Sequence, residues 1–135
     1  MKEHVLYSES LALNEIGFDE ECLAYYPLEG TLLLRGCKYV SVEPDFIKNS
    51  DSLLATNDDA ITAPLYQQVF RWFRDVHKYM VYPTWNLDDT FDFRVQKMSG
   101  HAMLSGELAH HVIKSKSYGE AELACLKKLI EIVKI

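Results

Sequence analysis

Residues 64–98, PLYQQVFRWFRDVHKYMVYPTWNLDDTFDFRVQKM, decide the fold because their apolar residues change from helical to strand spacing. In the first part, apolar residues recur at helical spacing and form one continuous stripe, which consists of Leu65, Val69, Trp72, Phe73 and Val76. Pro64 suits the first turn, where its missing N–H would be unpaired in any case. This pattern predicts a helix that lays an aromatic stripe on a sheet and turns its arginines to water.

The second part of this stretch predicts two β-strands. They span Tyr79 to Trp85 and Thr90 to Met98, and Asn86 to Asp89 have the residue types that favour a turn between them. Apolar and polar residues alternate from Phe91 to Gln96, which is the pattern of a strand with one wet face. A third β segment is predicted within Ala102 to Lys114.

A second long helix is predicted near the end of the sequence. Ser117 and Glu120 have the spacing of a capping box, in which the serine accepts from a first-turn N–H and the glutamate reaches back. One side of this helix is apolar and carries Ala121, Cys125, Leu129 and Ile132.

The first part of the chain predicts a short helix followed by a hairpin. The helix spans Glu9 to Ile16, with Ser8 or Ser10 as its cap and Gly17 closing it in the left-handed conformation. The hairpin strands are predicted at Cys22 to Tyr26 and at Thr31 to Arg35, and Pro27 to Gly30 supply the turn. A further short strand is predicted at Lys38 to Val42, and a long polar loop at 44–60.

These elements predict an α+β fold. We expect an antiparallel sheet with the two main helices, Pro64 to His77 and Ser117 to Lys134, packed on one face, plus the short N-terminal helix. The length of 135 residues suits a single domain. Within it, residues 1–43 hold the helix and hairpin, 44–60 the loop, and 61–135 an α-β-β-β-α unit.

Composition and charge favour a soluble cytoplasmic protein. Apolar residues make up 48% of the chain and charged residues 25%, which is the balance of a globular protein. No apolar run has the length of a membrane span or the character of a signal peptide, so we expect no membrane association. Three cysteines without a CxxC pair favour reduced thiols over a disulfide framework.

The net charge of −6 is unevenly distributed along the sequence. Residues 1–60 carry 12 acids and 4 bases, whereas residues 61–135 carry 8 acids and 10 bases. A nucleic-acid partner would therefore contact the second half.

The pattern of chemically reactive residues does not favour an enzyme. His110 and His111 are adjacent in a predicted strand, so their side chains point to opposite faces and do not share one ion. Cys125 lies on an apolar helix face, and Cys22 follows three acids that would raise its pKa. No phosphate loop, nucleophile elbow or zinc motif is present. We predict no catalytic residues, no metal and no cofactor.

Three segments in a fixed order resemble a known group of sequences. They are Ser10 to Cys22 with the adjacent Tyr25-Tyr26, Ala63 to Arg74, and Tyr118 to Ile130. Together they resemble short uncharacterised proteins encoded by gut Bacteroides-type bacteria and by their phages or mobile elements. The sequence departs from that pattern between Thr84 and Lys116. The resemblance covers most of the chain and implies no activity and no site residue.

The order of the predicted elements in 61–135 is also similar to that of a double-stranded RNA-binding domain. That family binds phosphates with a basic cluster at the start of its last helix, where this chain has Tyr118, Gly119, Glu120 and Glu122. Nucleic-acid binding is therefore the alternative hypothesis, and it is disfavoured by the acidic total charge. Its candidate residues are Arg71, Arg74, Lys78, Arg94, Lys97, Lys114 and Lys116.

The leading hypothesis is a small non-enzymatic module that binds another protein. We expect an exposed aromatic patch to carry this interaction, formed by Tyr25, Tyr26, Tyr82 and Trp85. The sequence does not identify the partner, and a homo-oligomer is compatible with it.

Overall fold

The computed structural model of the protein describes residues 4–34, 46–50, 54, 58–85, 87–88, 90–97, 110–115 and 117–134. These residues form three helices and two three-stranded antiparallel sheets, which is the α+β fold expected from the sequence. The chain groups into two compact units, Glu3–Leu65 and Tyr66–Ile135. Among the described helices, none combines the length and the apolar character needed to span a bilayer.

The first unit consists of one helix and one sheet. Helix α1 spans Tyr7–Glu15, and strands β1, β2 and β3 span Ala24–Leu28, Thr31–Leu34 and Ile61–Thr62. The strand order is β2-β1-β3, and both pairings are antiparallel.

Helix α1 begins two residues before the predicted start. Leu6 is the N-cap and makes no side-chain capping hydrogen bond, and Ser8 lies inside the helix, where its hydroxyl donates to the Glu9 carboxylate. The prediction of a serine cap was therefore wrong. The prediction for the other end is confirmed, since Gly17 follows the helix with φ 99°, in the left-handed region that glycine tolerates.

The predicted hairpin is present as β1 and β2. Leu28 pairs with Thr31 across the turn residues Glu29 and Gly30, and Gly30 has φ 87°. The register is irregular between Tyr25 and Leu28, so that β1 contains a bulge or comparable distortion.

Strand β1 lies between two apolar clusters. Ala24 and Tyr26 pack with Ile61 and Ala63, and Tyr7 and Leu11 of α1 cover this cluster. Tyr25 points the other way and packs against a cluster formed by Ile47, Leu54 and Ala60. Because successive strand residues face opposite sides, β1 contributes to both clusters at once.

Part of the region predicted as a polar loop is built into this unit. Ile47 is buried and forms an antiparallel bridge with Cys22, with N···O distances of 2.8 and 2.9 Å. Asn49 donates through Nδ2 to the Phe18 carbonyl at 3.0 Å and accepts through Oδ1 from the Thr62 N–H at 2.9 Å. The described part of 44–60 therefore stabilises the sheet. The predicted strand at Lys38 to Val42 lies outside the described residues.

The second unit has the α-β-β-β-α order expected from the sequence. Helix α2 spans Tyr66–His77, strands β4, β5 and β6 span Tyr79–Trp85, Phe91–Lys97 and His110–Ser115, and helix α3 spans Tyr118–Lys134. The strand order is β4-β5-β6, antiparallel throughout. The part of the third predicted segment at 102–109 lies outside the described residues.

Both helices of the second unit pack on the same face of its sheet. The ring centroid of the buried Phe93 lies 5.9 Å from that of Phe70 in α2 and 5.3 Å from that of Tyr118 in α3. Because the Phe93 side chain points to one face of the sheet, the two helices that contact it pack on the same face. This arrangement confirms the prediction of two helices on one side of an antiparallel sheet.

The apolar stripe of α2 is rotated relative to its predicted position. Val69, Trp72 and Phe73 are buried as expected, but Leu65 and Val76 are exposed. Tyr66 is buried instead. The inward face of α2 therefore includes the i, i+3 and i+7 positions 66, 69 and 73.

The start of α3 keeps half of the predicted capping box. The Glu120 N–H donates to the Ser117 hydroxyl at 3.1 Å, as predicted. The Glu120 carboxylate accepts from the Ser115 hydroxyl at 3.1 Å rather than from the Ser117 backbone. Along the helix, Ala121, Cys125 and Leu129 are buried as expected.

Candidate functional site: the leucine edge of the first unit

Strand β2 is apolar and exposed along its whole length. The exposed fractions are 42% for Leu32, 43% for Leu33 and 71% for Leu34, and Leu28 at the end of β1 is 54% exposed. We call these four residues the leucine edge. They lie on the two strands of one hairpin, whereas single exposed leucines are scattered over most protein surfaces.

The exposure of the leucine edge follows from the topology of the sheet. Strand β2 lies at the end of the order β2-β1-β3 and pairs, among the described strands, with β1 alone. Ala24 is fully buried, yet Leu34, its partner in the register, is mostly exposed. Burial therefore decreases from β1 to β2 across this pair of residues.

Side chains of the leucine edge occupy both faces of the hairpin. Leu33 pairs with Tyr25, and Leu34 pairs with Ala24. Neighbouring residues of a strand point to opposite faces, so Leu33 and Leu34 do so as well. Natural edge strands usually carry charges or prolines that prevent further pairing, and Thr31–Leu34 contain neither.

One carboxylate, that of Glu29, belongs to the turn of this hairpin. Desolvation, together with the negative charges of Asp59 and Glu29, raises the pKa of Tyr7. The Tyr7 hydroxyl also donates to the Asp59 carbonyl at 2.7 Å. The unit Glu3–Leu65 contains twelve acidic and three basic residues, so the leucine edge belongs to a strongly negative unit.

The first two residues of the predicted aromatic patch do not form an exposed surface. Tyr26 is only 8% exposed, and its hydroxyl donates to the Val5 carbonyl at 2.7 Å. Its ring packs edge-on against Tyr7 at 5.6 Å. Tyr25 is half-buried against the Ile47 cluster. Both tyrosines thus help to hold the first unit together.

The other two residues of that prediction belong to the second unit. Trp85 is 67% exposed at the end of β4, whereas Tyr82 is half-buried. Three positions separate them on one strand, so they point to opposite faces. The four aromatic residues therefore do not form one patch. The sequence signal for the leucine edge is the run Thr31-Leu-Leu-Leu34 after the hairpin turn. Its leucines are consecutive, whereas a strand with one exposed face would alternate apolar and polar residues.

The candidate nucleic-acid residues near α2 are partly engaged with an acid. Arg71 and Arg74 are exposed, and Arg74 Nε lies 3.0 Å from Asp75 Oδ1. Lys78 has φ 63°, and its ammonium group donates to the Asp75 carbonyl at 2.9 Å. Asp75 therefore offsets part of the positive charge at the end of this helix.

Two of the remaining basic candidates lie on opposite faces of their sheet. Arg94 and Lys97 lie an odd number of positions apart on β5 and point to opposite sides. Arg94 Nε is buried and has no hydrogen-bond partner among the described residues. The Lys97 ammonium lies over the Tyr79 ring, 5.8 Å from its centroid. In the register, Lys114 pairs with Asp92. Lys116 lies outside the described residues.

The reactive side chains of the described residues are buried or scattered. Burial, with a contribution from Glu122, raises the pKa of the Cys125 thiol to about 12. Cys22 is also buried. Within the described ranges, no group of three His, Cys, Asp or Glu side chains could hold a metal ion. The Cys125 thiol is thus poorly suited to nucleophilic chemistry near neutral pH, because the thiolate is the reactive form.

No protein-family model, curated protein or solved structure matches this chain. The function is therefore inferred from the residues of the protein itself.

Proposed function

We propose that this protein is a small non-enzymatic interaction module of the phage or mobile-element type that its sequence resembles, and that it binds another protein through the leucine edge. The observation that carries the proposal is the exposure of Leu32, Leu33 and Leu34 on the uncharged edge strand β2, with the exposed Leu28 at the end of β1. The cysteine composition favours reduced thiols, and we accordingly place this interaction in the cytoplasm.

The hydrophobic effect favours the burial of the leucine edge in a complex. Complete burial of an exposed leucine contributes roughly 1.5–3 kcal/mol. The four leucines are on average about half exposed, so further burial would contribute on the order of 4 kcal/mol before the costs of association. A surface of this kind also suits the centre of an interface, where charged residues are depleted.

The test compares the protein with two single variants. Leu34→Lys places a charge on the leucine edge, and Leu87→Lys changes a fully exposed leucine in the second unit. Each tagged protein is used for affinity capture from the native host, followed by mass spectrometry. We expect one protein partner to be retained by the wild type and by Leu87→Lys and lost by Leu34→Lys, with the melting temperatures of all three alike.

Two results would contradict this proposal. A partner held equally by both variants would bind elsewhere on the molecule. Nucleic acid that co-purifies with the wild type, without a protein partner, would favour the alternative function.

That alternative is a nucleic-acid-binding domain, and two features of the second unit favour it. The unit Tyr66–Ile135 carries ten basic and eight acidic residues, and its elements follow the α-β-β-β-α order. Against it, the basic side chains are divided between the faces of the sheet, and α3 begins with Tyr118, Gly119 and Glu120.

A further inference from the structure

We infer that the leucine edge takes its partner as an added β-strand, and that this partner is an extended apolar segment flanked by lysine or arginine. The inference rests on the proposed function and specifies the binding mode and the chemistry of the partner. Three independent features of the hairpin support it: the backbone of β2, the distribution of its side chains and the surrounding charge.

The backbone of β2 is suited to strand addition. In an edge strand, alternate residues direct their N–H and C=O groups away from the sheet. A partner helix packed over this edge would cover these groups without pairing them, at a cost of about 1–3 kcal/mol for each buried group. An extended partner would pair with them instead, as in known cases of β-augmentation.

The side chains of β2 determine which residues the partner presents. Leucines are exposed on both faces of the strand, since Leu33 points to one side and Leu34 to the other. Successive side chains of an added strand would also alternate between these faces. Apolar residues are therefore favoured at consecutive positions of the partner, rather than at every second position.

The charges around the hairpin favour a cationic partner over a second copy of this chain. The first unit has twelve acids and three bases, and one of these bases, Arg35, follows β2 in the sequence. Glu29 lies in the turn at one end of the hairpin, and Glu20 and Glu21 precede β1 at the other. Basic residues that flank an apolar core would lie near these acids. A second copy would bring two units of twelve acids and three bases together, which opposes self-association at low salt.

The test uses synthetic peptides as defined probes of the full-length protein. The parent peptide is Lys-Lys-Val-Ile-Val-Ile-Lys-Lys, and its charge control has Glu in place of every Lys. Two further control peptides carry backbone N-methyl groups on alternate core residues. One is methylated at the two valines and the other at the two isoleucines. N-methylation removes backbone donors and leaves the side chains unchanged. Binding is measured by calorimetry at about 50 and 500 mM salt, where the Debye length falls from roughly 14 to 4 Å.

We expect the parent peptide to bind. At the lower salt concentration the acidic peptide should bind at least tenfold more weakly than the parent, and at the higher salt concentration this difference in affinity should be smaller. One of the two N-methylated peptides should bind at least tenfold more weakly than the parent, because only alternate N–H groups of an added strand face β2. The other N-methylated peptide should bind nearly as well as the parent. Leu34→Lys should weaken parent binding, and Leu87→Lys should not change it.

Each contrary result overturns a separate statement. Equal binding of both N-methylated peptides would refute strand addition and leave the leucine edge as a binding surface. No binding of the parent peptide at about 1 mM would refute the cationic apolar partner, while the capture experiment still tests the proposed function. If sedimentation shows a dimer that Leu34→Lys converts to a monomer, the edge binds a second copy and the inference is wrong.

Discussion

The imidazole of His77 packs edge-on against the indole of Trp72, with 4.8 Å between the ring centroids. The ring centroid of Phe73 lies 5.8 Å from that of the same imidazole. His77 Nε2 is buried and has no hydrogen-bond partner in the part of the chain that the structure describes. These three rings pack together in the last two turns of α2, and Lys78, with φ 63°, links the helix to β4.

The surroundings of His77 predict a decrease in stability in mild acid. Burial lowers the pKa of His77 below its ordinary value of 6.5, because the charged imidazolium loses its hydration there. As the pH falls below 6.5, the unfolded chain binds a proton that the folded chain does not, so the free energy of unfolding decreases until the folded pKa is reached. NMR titration should give the lowered pKa directly.

A variant isolates the contribution of His77 from those of the other titrating groups. His77→Phe keeps a planar ring and removes the titration. Urea melts between about pH 7.5 and 5 should show a smaller loss of stability for the variant than for the wild type. Parallel curves for the two proteins would show that His77 titrates alike in the folded and unfolded states.

Trp72 is expected to be a major contributor to the core of the second unit. Its side chain is 5% exposed and contacts Phe73 at 5.0 Å as well as His77. Trp72→Ala should decrease the free energy of unfolding by about 3–5 kcal/mol in denaturant melts. The control Val76→Ala, at an exposed position of the same helix, should cost less than ~1 kcal/mol. Similar costs for the two variants would mean that the register of α2 is different.

The elements with a strong local signal were predictable from sequence. The alternation from Phe91 to Gln96 correctly predicted strand β5. Ser117 correctly predicted the start of α3, where the Glu120 N–H donates to its hydroxyl. Periodicity identified α2, but it placed Leu65 and Val76 in the stripe although both are exposed. The inward face of a helix depends on the sheet it packs against, which is not encoded in the helix itself.

Features that depend on distant residues were not predictable. Asn49 pairs with Phe18, 31 positions away, and polar sequence around it indicates only a loop. The leucine edge was missed for a related reason. Apolar residues on a strand predict burial, and only the strand order shows that β2 lies at an edge of its sheet.

Asn49 offers a sharp test of the structural role of the predicted loop. Asn49→Ala would remove the two hydrogen bonds that the Asn49 side chain makes with the Phe18 carbonyl and the Thr62 N–H, so we expect a loss of about 2–4 kcal/mol in denaturant melts. Asn14→Ala is the control, because Asn14 is exposed near the end of α1 and alanine favours helices. A neutral effect of Asn49→Ala would show that this segment does not stabilise the first unit.

Cys125 should be protected from alkylation in the folded protein. It is fully buried, and with a pKa of about 12 only ~10⁻⁴ of the thiol would be ionised at pH 8. Iodoacetamide followed by peptide mass spectrometry should show modification of Cys125 on unfolding in urea and almost none in native buffer. The melting temperature should also be unchanged by reductant. Modification of the native protein within minutes would place Cys125 at an accessible position.

Binding to nucleic acid should be weak or absent. Arg71 and Arg74 are exposed on α2, but Arg74 pairs with Asp75 at 3.0 Å, and Lys78 donates to the Asp75 carbonyl. The total charge of −6 further opposes binding to phosphates, which depends mainly on lysine and arginine. We therefore expect no saturable binding below ~10 μM.

The measurement that checks this expectation is a titration of labelled duplex RNA, duplex DNA and single strands at about 50 and 200 mM salt. Because several phosphate contacts would make affinity fall steeply over this range, real backbone binding has a clear salt signature. The double variant Arg71→Glu/Arg74→Glu reverses the exposed charge on α2, and its melting temperature shows whether it still folds. Micromolar binding by the wild type that weakens with salt and disappears in the folded variant would contradict the interaction-module proposal. It would instead assign the second unit to nucleic acid.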